Sequence, residues 1–323
     1  MKTIGLVGLP YSGKSTLFTA LTRAGAVGGR ANQAVVPVPD ERLQVLADLE
    51  RSRKVVAAQV RFVDVPGGAQ GFAALREADA LAVVMAMFGD GADPAKDLAE
   101  VRSELVLADL AVVESALENA RRRAKGGGGQ AEVELLERAH RALEEERLLR
   151  DLELSEEERK ALRGLAPLTL KPWIPVANLA EGAAPADGVP DGGVNVWAEI
   201  EAEAAAMEPE EAAEILAEFG ITEPGLTSVV EACYRALDLV TFLTTGEDET
   251  RAWEVRRGAT APEAAGRIHS DLQRGFIRAE VVSYDDLVAA GGWDQAKAKG
   301  TLRVEGKDYM VQEGDVLHVR FAV

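Results

Sequence analysis

The chain has 323 residues, enough for two or three domains, and a formal charge of −18. That acidity argues against broad, non-specific binding to nucleic acid, which needs a basic surface. The single cysteine, Cys233, excludes an internal disulfide, and no run of about eighteen apolar residues is present to span a membrane, so a cytoplasmic protein is expected. Cys233 lies beside Tyr234 in an apolar helical pattern and reads as packing rather than as a nucleophile.

In chain order, Thr3–Val7 is short, apolar and partly β-branched, as a buried strand is, and too short for a signal peptide. It runs into a glycine loop and then a helix over Thr16–Thr22. Val35–Val38 is a second extended segment. Asp40–Leu49 is helical, with Leu43, Leu46 and Leu49 in step. Val60–Val65 and Ala80–Met87 are strands, so the first part alternates strand and helix and predicts a largely parallel α/β sheet. Pro94 opens a long helix with Leu98, Val101, Leu105, Ala108 and Val112 on one face. Gly126–Gly129 breaks it, and a second helix follows with Leu136, Ala139 and Leu143 on one face, giving a helical hairpin whose charge runs are solvated faces.

The α/β pattern resumes at Leu168. Trp173–Ala177 is a strand leading into Asn178, Asn195–Trp197 is a candidate last strand, and Glu210–Phe219 and Leu226–Leu237 are helices. From Leu239 the pattern changes to short strands at Val240–Thr244, Glu254–Val255, Arg278–Val282, Thr301–Val304 and Val316–Phe321, with a helix over Pro262–Leu272. This small α+β domain carries 11 Lys or Arg against 14 Asp or Glu, and Arg256, Arg257, Arg274 and Arg278 are candidates for a basic cluster. The expected division is a nucleotide-binding domain in two parts, 1–97 and 165–238, a helical hairpin insertion, 98–164, and a C-terminal domain, 239–323.

Gly8-Leu9-Pro10-Tyr11-Ser12-Gly13-Lys14-Ser15-Thr16 fits G-x-x-x-x-G-K-[ST] in the strand–loop–helix setting that gives the pattern meaning. A triphosphate needs several donors aimed at one point, and backbone N–H groups around a tight turn at a helix N-terminus supply them. Gly8 and Gly13 let the backbone curl, Lys14 is placed to reach the β and γ phosphates, and Ser15 to ligate Mg²⁺. Asp64-Val65-Pro66-Gly67 fits D-x-x-G at a strand end, where the aspartate supports the Mg²⁺ shell and the Gly67 amide meets a γ-phosphate. Asn178-Leu179-Ala180-Glu181 follows a later strand, where GTPases place N-K-x-D. Their Asp accepts from guanine's two donors, whereas Glu181 is one methylene longer and Leu179 replaces the Lys. Asn178 suits adenine N6 and N7, so the pattern argues against strong guanine selection and mildly for ATP. His140, His269 and His318 have no metal-ligand spacing.

With these residues the chain resembles the Obg-like ATPase (YchF) family of phosphate-loop proteins, whose hallmark is N-x-x-E, here Asn178 to Glu181. Val35-Val36-Pro37-Val38-Pro39-Asp40, Asp93-Pro94, Glu104-Leu105 and Ala108-Asp109-Leu110 are similar too. The C-terminal stretches Arg251-Ala252-Trp253, Ala264-Ala265-Gly266, Arg274-Gly275-Phe276-Ile277-Arg278-Ala279-Glu280, Glu305-Gly306-Lys307-Asp308-Tyr309 and Gly314-Asp315-Val316 match most specifically. The resemblance covers almost the whole chain. It implies a phosphate-loop domain with a helical insertion and a C-terminal ubiquitin-like (β-grasp, TGS) domain. It also implies a cytosolic ATPase, weaker on GTP and linked to ribosomes and stress responses; a monomer without membrane contact is expected.

The chain departs from that family at three places. Ala24–Ala34 holds no Ser or Thr where the family has a longer loop that closes on Mg²⁺ and the γ-phosphate; the glycine-rich switch after Gly67 is short; and Tyr11-Ser12 replaces the usual Asn-Val. Gln70 and Gln33 are candidate replacements for the lost γ-phosphate sensors.

Three functional readings are open on the sequence. The first is a slow ATPase switch in which Lys14 stabilises phosphate charge, Ser15 and Asp64 hold Mg²⁺ and Asn178 reads the base. The second is a nucleotide-binding scaffold without useful hydrolysis, motivated by the short switches. The third is an RNA- or ribosome-binding protein acting through the C-terminal arginines. A kinase reading is more distant, because the D-x-x-G and N-x-x-E pair does not call for one.

Overall fold

The computed structural model describes residues 1–22, 32–65, 69–89, 92–126, 128–186, 189, 193–222 and 224–322. In order, the elements are β1 (Lys2–Val7), α1 (Lys14–Thr22), β2 (Asn32–Pro37), α2 (Arg42–Glu50), β3 (Val55–Val56), β4 (Gln59–Asp64), α3 (Ala69–Arg76), β5 (Ala80–Met87), α4 (Pro94–Ala124), α5 (Gln130–Glu144), α6 (Glu156–Arg163), β6 (Trp173–Leu179), β7 (Val194–Val196), α7 (Ala198–Ala204), α8 (Pro209–Glu218) and α9 (Gly225–Ala236). There follow β8 (Leu239–Thr244), β9 (Thr250–Arg256), α10 (Ala261–Ile268), α11 (Ser270–Arg274), β10 (Phe276–Ser283), α12 (Tyr284–Ala290), α13 (Trp293–Lys299), β11 (Arg303–Glu305) and β12 (Asp315–Phe321). The chain forms two compact units, one of residues 2–36 and 61–233, the other of Met1, 37–60 and 234–323.

The larger unit is built on a six-stranded sheet of order β2-β4-β1-β5-β6-β7. β1, β5, β6 and β7 run parallel, with Leu6 opposite Ala82 and Ala86 opposite Asn178. Every residue of β6 is buried, as in a parallel strand covered on both faces. The hairpin is inserted between β5 and β6. Asp93 caps α4 by accepting from Lys96 N, and Pro94 opens the first turn, where its missing N–H costs nothing. The buried stripe runs through Val101, Leu105, Asp109, Val113, Leu117 and Ala120, so Val113 takes the place expected of Val112. On α5, Val133, Leu136, Ala139 and Leu143 face inward. Arg121–Glu137 and Arg123–Glu132 ion pairs cross between the two helices.

Asp109 ties this insertion to the sheet. It is fully buried and accepts from Arg76 Nη1 (2.8 Å), Leu168 N (2.9 Å), Thr169 N (2.7 Å) and Thr169 Oγ1 (2.7 Å). The acceptors of one carboxylate thus join α3, α4 and the short turn that feeds β6. The sequence patterns gave no helix for α3, α6 or α7. α6 is announced instead by its Ser155–Glu158 capping box.

The second unit is α+β. Its sheet has the order β11-β10-β12-β8-β9-β3; β10 is antiparallel to β11 and β12, β8 to β9, and β12 is parallel to β8. Val240, Phe242, Val281 and Leu317 on one sheet face pack under Ala261, Ala264 and Ala265 of α10, whose small side chains let helix and sheet approach in the β-grasp manner. The single helix expected over Pro262–Leu272 is two, because His269 turns extended and caps α11 by accepting from Asp271 N.

Residues 37–60, expected within the first part of the nucleotide-binding domain, cluster with this C-terminal unit. β3 pairs with β9, Thr250 N donates to Lys54 O, and Ser52 Oγ donates to Gly246 O at 2.6 Å. Leu43 and Leu46 of α2 are buried here. Their spacing fixed a buried face but not its partner. The expected basic cluster does not form either. Arg256 stands opposite Leu239 and Arg278 opposite Arg320, which the β8–β12 register separates by about eight residues, or ~27 Å of strand. Arg257 and Arg274 are paired with Asp238 and Asp271 respectively.

Candidate nucleotide site

β1 ends at Val7 and the chain curls through Gly8–Gly13 before α1 opens at Lys14. The curl demands glycine twice. A Cβ at Gly8 would lie 2.3 Å from Val84 O, and one at Gly13, where φ is +88°, would lie 2.0 Å from Asn178 Nδ2. Ser12 N donates to Leu9 O and Leu17 N to Gly13 O, closing the turn onto the helix. Tyr11 also has positive φ, +66°, and its side chain is 95% exposed. Ser12 is buried, and its hydroxyl is a buried polar atom without a hydrogen-bond partner.

Lys14 folds back over the loop, donating from Nζ to Gly8 O (2.8 Å) and Leu9 O (2.7 Å). Burial lowers its pKa from the ordinary lysine value, and the nearby Asp64 and Glu104 carboxylates oppose that shift. Ser15 Oγ donates to Asp64 Oδ2 at 2.9 Å, which brings the first-helix hydroxyl and the β4 carboxylate together as the sequence pattern anticipates. These are two hard oxygen donors. Among the described residues no group of three or more His, Cys, Asp or Glu is placed to hold a metal, so an all-protein metal cage is not what this site offers. A hydroxyl beside one carboxylate suits Mg²⁺, which keeps several waters and takes its remaining ligands from phosphates.

Asn178, at the end of β6, is 4% exposed. Its Nδ2 donates to Ser12 O and its Oδ1 accepts from Ala198 N, both at 3.1 Å. The residue expected to read the base therefore also tethers the phosphate loop to the start of α7. That start is fixed in turn by Glu201, 1% exposed, which accepts from Trp197 N and Leu226 N at 2.9 Å each. Burial raises the Glu201 pKa, and these backbone donors partly offset the rise.

A cavity of about 620 Å³ opens over these groups, lined by Tyr11 and Gly13 of the loop, by Lys14, Ser15 and Thr16 at the start of α1, by Asn178 at the end of β6 and by Glu181 just beyond it. Gly8, Pro10 and Ser12 shape the loop without lining the cavity, and Asp64 meets it through Ser15. Gly67 lies outside the described residues, as does most of Ala24–Ala34; Gln33 is an exposed residue of β2. Sequence reasoning missed Phe88 and Glu199, which also line the cavity. Phe88 directly follows β5, and the rule that ligands gather at the carboxyl ends of parallel strands was the available signal.

The strand–loop–helix and its paired Ser15 and Asp64 are those of the phosphate-loop class of nucleotide-binding proteins. Residues 3–115 match a family model described as a 50S ribosome-binding GTPase, and residues 239–322 match the YchF-GTPase_C model, described as a protein of unknown function. The chain is 41% identical to the ribosome-binding ATPase YchF of Haemophilus ducreyi and 40% identical to that of Bacillus subtilis, covering 99% of both chains in each case. The solved YchF GTPase of Schizosaccharomyces pombe superposes with a TM-score of 0.86 at 27% identity, over 99% of this chain and 97% of that one. The chain belongs to the YchF family.

Proposed function

We propose that the protein is a Mg²⁺-dependent nucleoside triphosphatase that prefers ATP over GTP and acts in the cytoplasm as a monomeric, ribosome-linked switch. The observation that carries this reading is the pairing of Ser15 with Asp64 next to Lys14, at a cavity that Lys14 and Ser15 line together with Asn178 and Glu181. Relatives of full-length similarity are named as ribosome-binding ATPases, which supports both the reaction and the partner.

The loop N–H groups and the α1 N-terminus bind phosphate oxygens. Lys14 exchanges its two carbonyl acceptors for the β and γ phosphates, where its charge is used rather than merely housed. Ser15 and Asp64 are the residues that would hold Mg²⁺, which when bound neutralises charge on the phosphates. Asn178 keeps the loop in register, and its second amide hydrogen is free in valence to meet a purine N7. Glu181 is exposed and lines the same cavity; its carboxylate accepts hydrogen bonds as an Asp does, but it is one methylene longer, which shifts it from the place where an Asp meets guanine's paired donors.

The test is titration of Mg-ATP and Mg-GTP by calorimetry with parallel phosphate release. Tighter ATP binding with slow release, both lost in Lys14→Ala, is expected. Tighter GTP binding overturns the base preference, and binding without release overturns the hydrolase in favour of a scaffold. Salt-dependent co-sedimentation with ribosomes, weakened by substitutions in the C-terminal unit, tests the route of contact.

A further inference from the structure

The phosphate loop spends a bulky side chain where the backbone disfavours one. Tyr11 lies in the left-handed region at φ +66°, which glycine and asparagine enter far more readily than an aromatic residue. Packing does not explain the choice, because the ring is 95% exposed. Phosphate recognition does not explain it either, since the loop meets phosphate through backbone N–H groups that any residue supplies. Strain held in a binding loop without a packing gain points to a ligand contact.

Tyr11 lines the same cavity as Gly13, Lys14 and Asn178. Its faces carry negative charge density and repel phosphate oxygens, while they suit a flat, polarisable ring or the C–H edge of a sugar. Phe88 lines that cavity as well, with its ring edge 4.0 Å from a Cβ built at Gly13, so two aromatic residues border the site besides its phosphate donors. We propose that the Tyr11 side chain closes over the nucleoside part of the bound purine nucleotide, making it a positioning and affinity-determining residue distinct from the backbone phosphate cradle. This rests on the nucleotide-binding reading above.

The experiment compares wild type with Tyr11→Gly, Tyr11→Asn and Tyr11→Phe, titrating Mg-ATP and Mg-tripolyphosphate by calorimetry and melting each protein without ligand. Glycine and asparagine relieve the backbone strain, and asparagine does so without glycine's extra freedom. Both variants should melt at or above the wild-type temperature yet bind Mg-ATP about 10-fold more weakly, within the range that stacking of a base on an aromatic ring supplies. Their tripolyphosphate affinity should be unchanged, and Tyr11→Phe should match wild type. Unchanged ATP affinity in Tyr11→Asn, or an equal loss of both ligands, overturns the proposal. If wild type binds tripolyphosphate but gains nothing from the nucleoside, the proposal falls while the phosphate site stands; if it binds neither, the nucleotide reading falls and this one with it.

Discussion

Replacing Asn178 with alanine separates the tether seen in the structure from the base-reading role proposed for the same side chain. In the native protein its amide joins Ser12 O to Ala198 N through two buried hydrogen bonds of 3.1 Å. Alanine leaves that carbonyl and that N–H without partners, at about 1–3 kcal/mol for each buried group. The adjoining cavity admits water, which favours the low end, so the expected loss is about 2–3 kcal/mol. For a unit of this size that lowers the melting temperature by about 5–10 °C. The carbonyl released belongs to the phosphate loop, and Gly13 lies directly against the amide. Loosening the loop should therefore weaken Mg-tripolyphosphate, which has no base, by roughly 10-fold, the equivalent of about 1.4 kcal/mol. Mg-ATP should weaken further, because the proposed base contact is removed as well. Calorimetric titration with both ligands, on protein shown to be folded by its melting curve, gives the answer. If tripolyphosphate affinity is untouched while ATP affinity falls, Asn178 only reads the base and the tether has no bearing on phosphate binding.

Asp109→Ala should cost about 3–5 kcal/mol, because it leaves the Arg76 guanidinium and two backbone N–H groups facing an empty site; urea unfolding should show a lower midpoint. Glu201 has a folded-state pKa raised above the ordinary carboxylate value, so its contribution to stability is greatest below that value and declines as pH rises through the raised pKa. Glu201→Gln lacks this titration, and the difference in melting temperature, wild type minus variant, should fall as pH increases across that window. A fragment of residues 239–323 lacks α2 and β3. Restoring 37–60 through a flexible linker should raise its stability by about 3 kcal/mol or more, from Leu43 and Leu46 alone, and equal melting curves would refute the shared core.

What the sequence made legible divides along a physical line. The phosphate loop could be read because its glycines answer to local backbone geometry, and Ser15 and Asp64 because their spacing from strand ends is local too. The Asn178 tether could not, since residue type shows that an amide is present but not which carbonyl it will meet. The helix over 42–50 was evident from Leu43 and Leu46, yet a 3-4 spacing names a buried face and is silent on what covers it. The four C-terminal arginines looked clusterable because strand order and register are invisible in sequence, and the register along β8 and β12 sets Arg256 and Arg278 far apart. α12 and α13 went unseen for a different reason. Each has one buried side chain, Leu287 and Ala296, too little apolar pattern to register.

Strand order also explains why a long insertion leaves the site intact. β4, β1, β5 and β6 are neighbours in that sequence across the sheet, and their ends deliver Asp64, the phosphate loop, Phe88 and Asn178 in the same spatial order. The hairpin enters between β5 and β6, but Val83–Pro175 and Ala86–Asn178 remain paired as though the strands were joined by a short crossover. What the insertion must supply is a fixed return point, and Asp109, binding the turn at Leu168–Thr169 just before β6, supplies it. Loss of that carboxylate should therefore reach the nucleotide site through the placement of β6. In Asp109→Ala, the Mg-ATP affinity of the protein that remains folded should fall along with its stability, and a destabilised variant with wild-type affinity would show that β6 holds its place without the anchor.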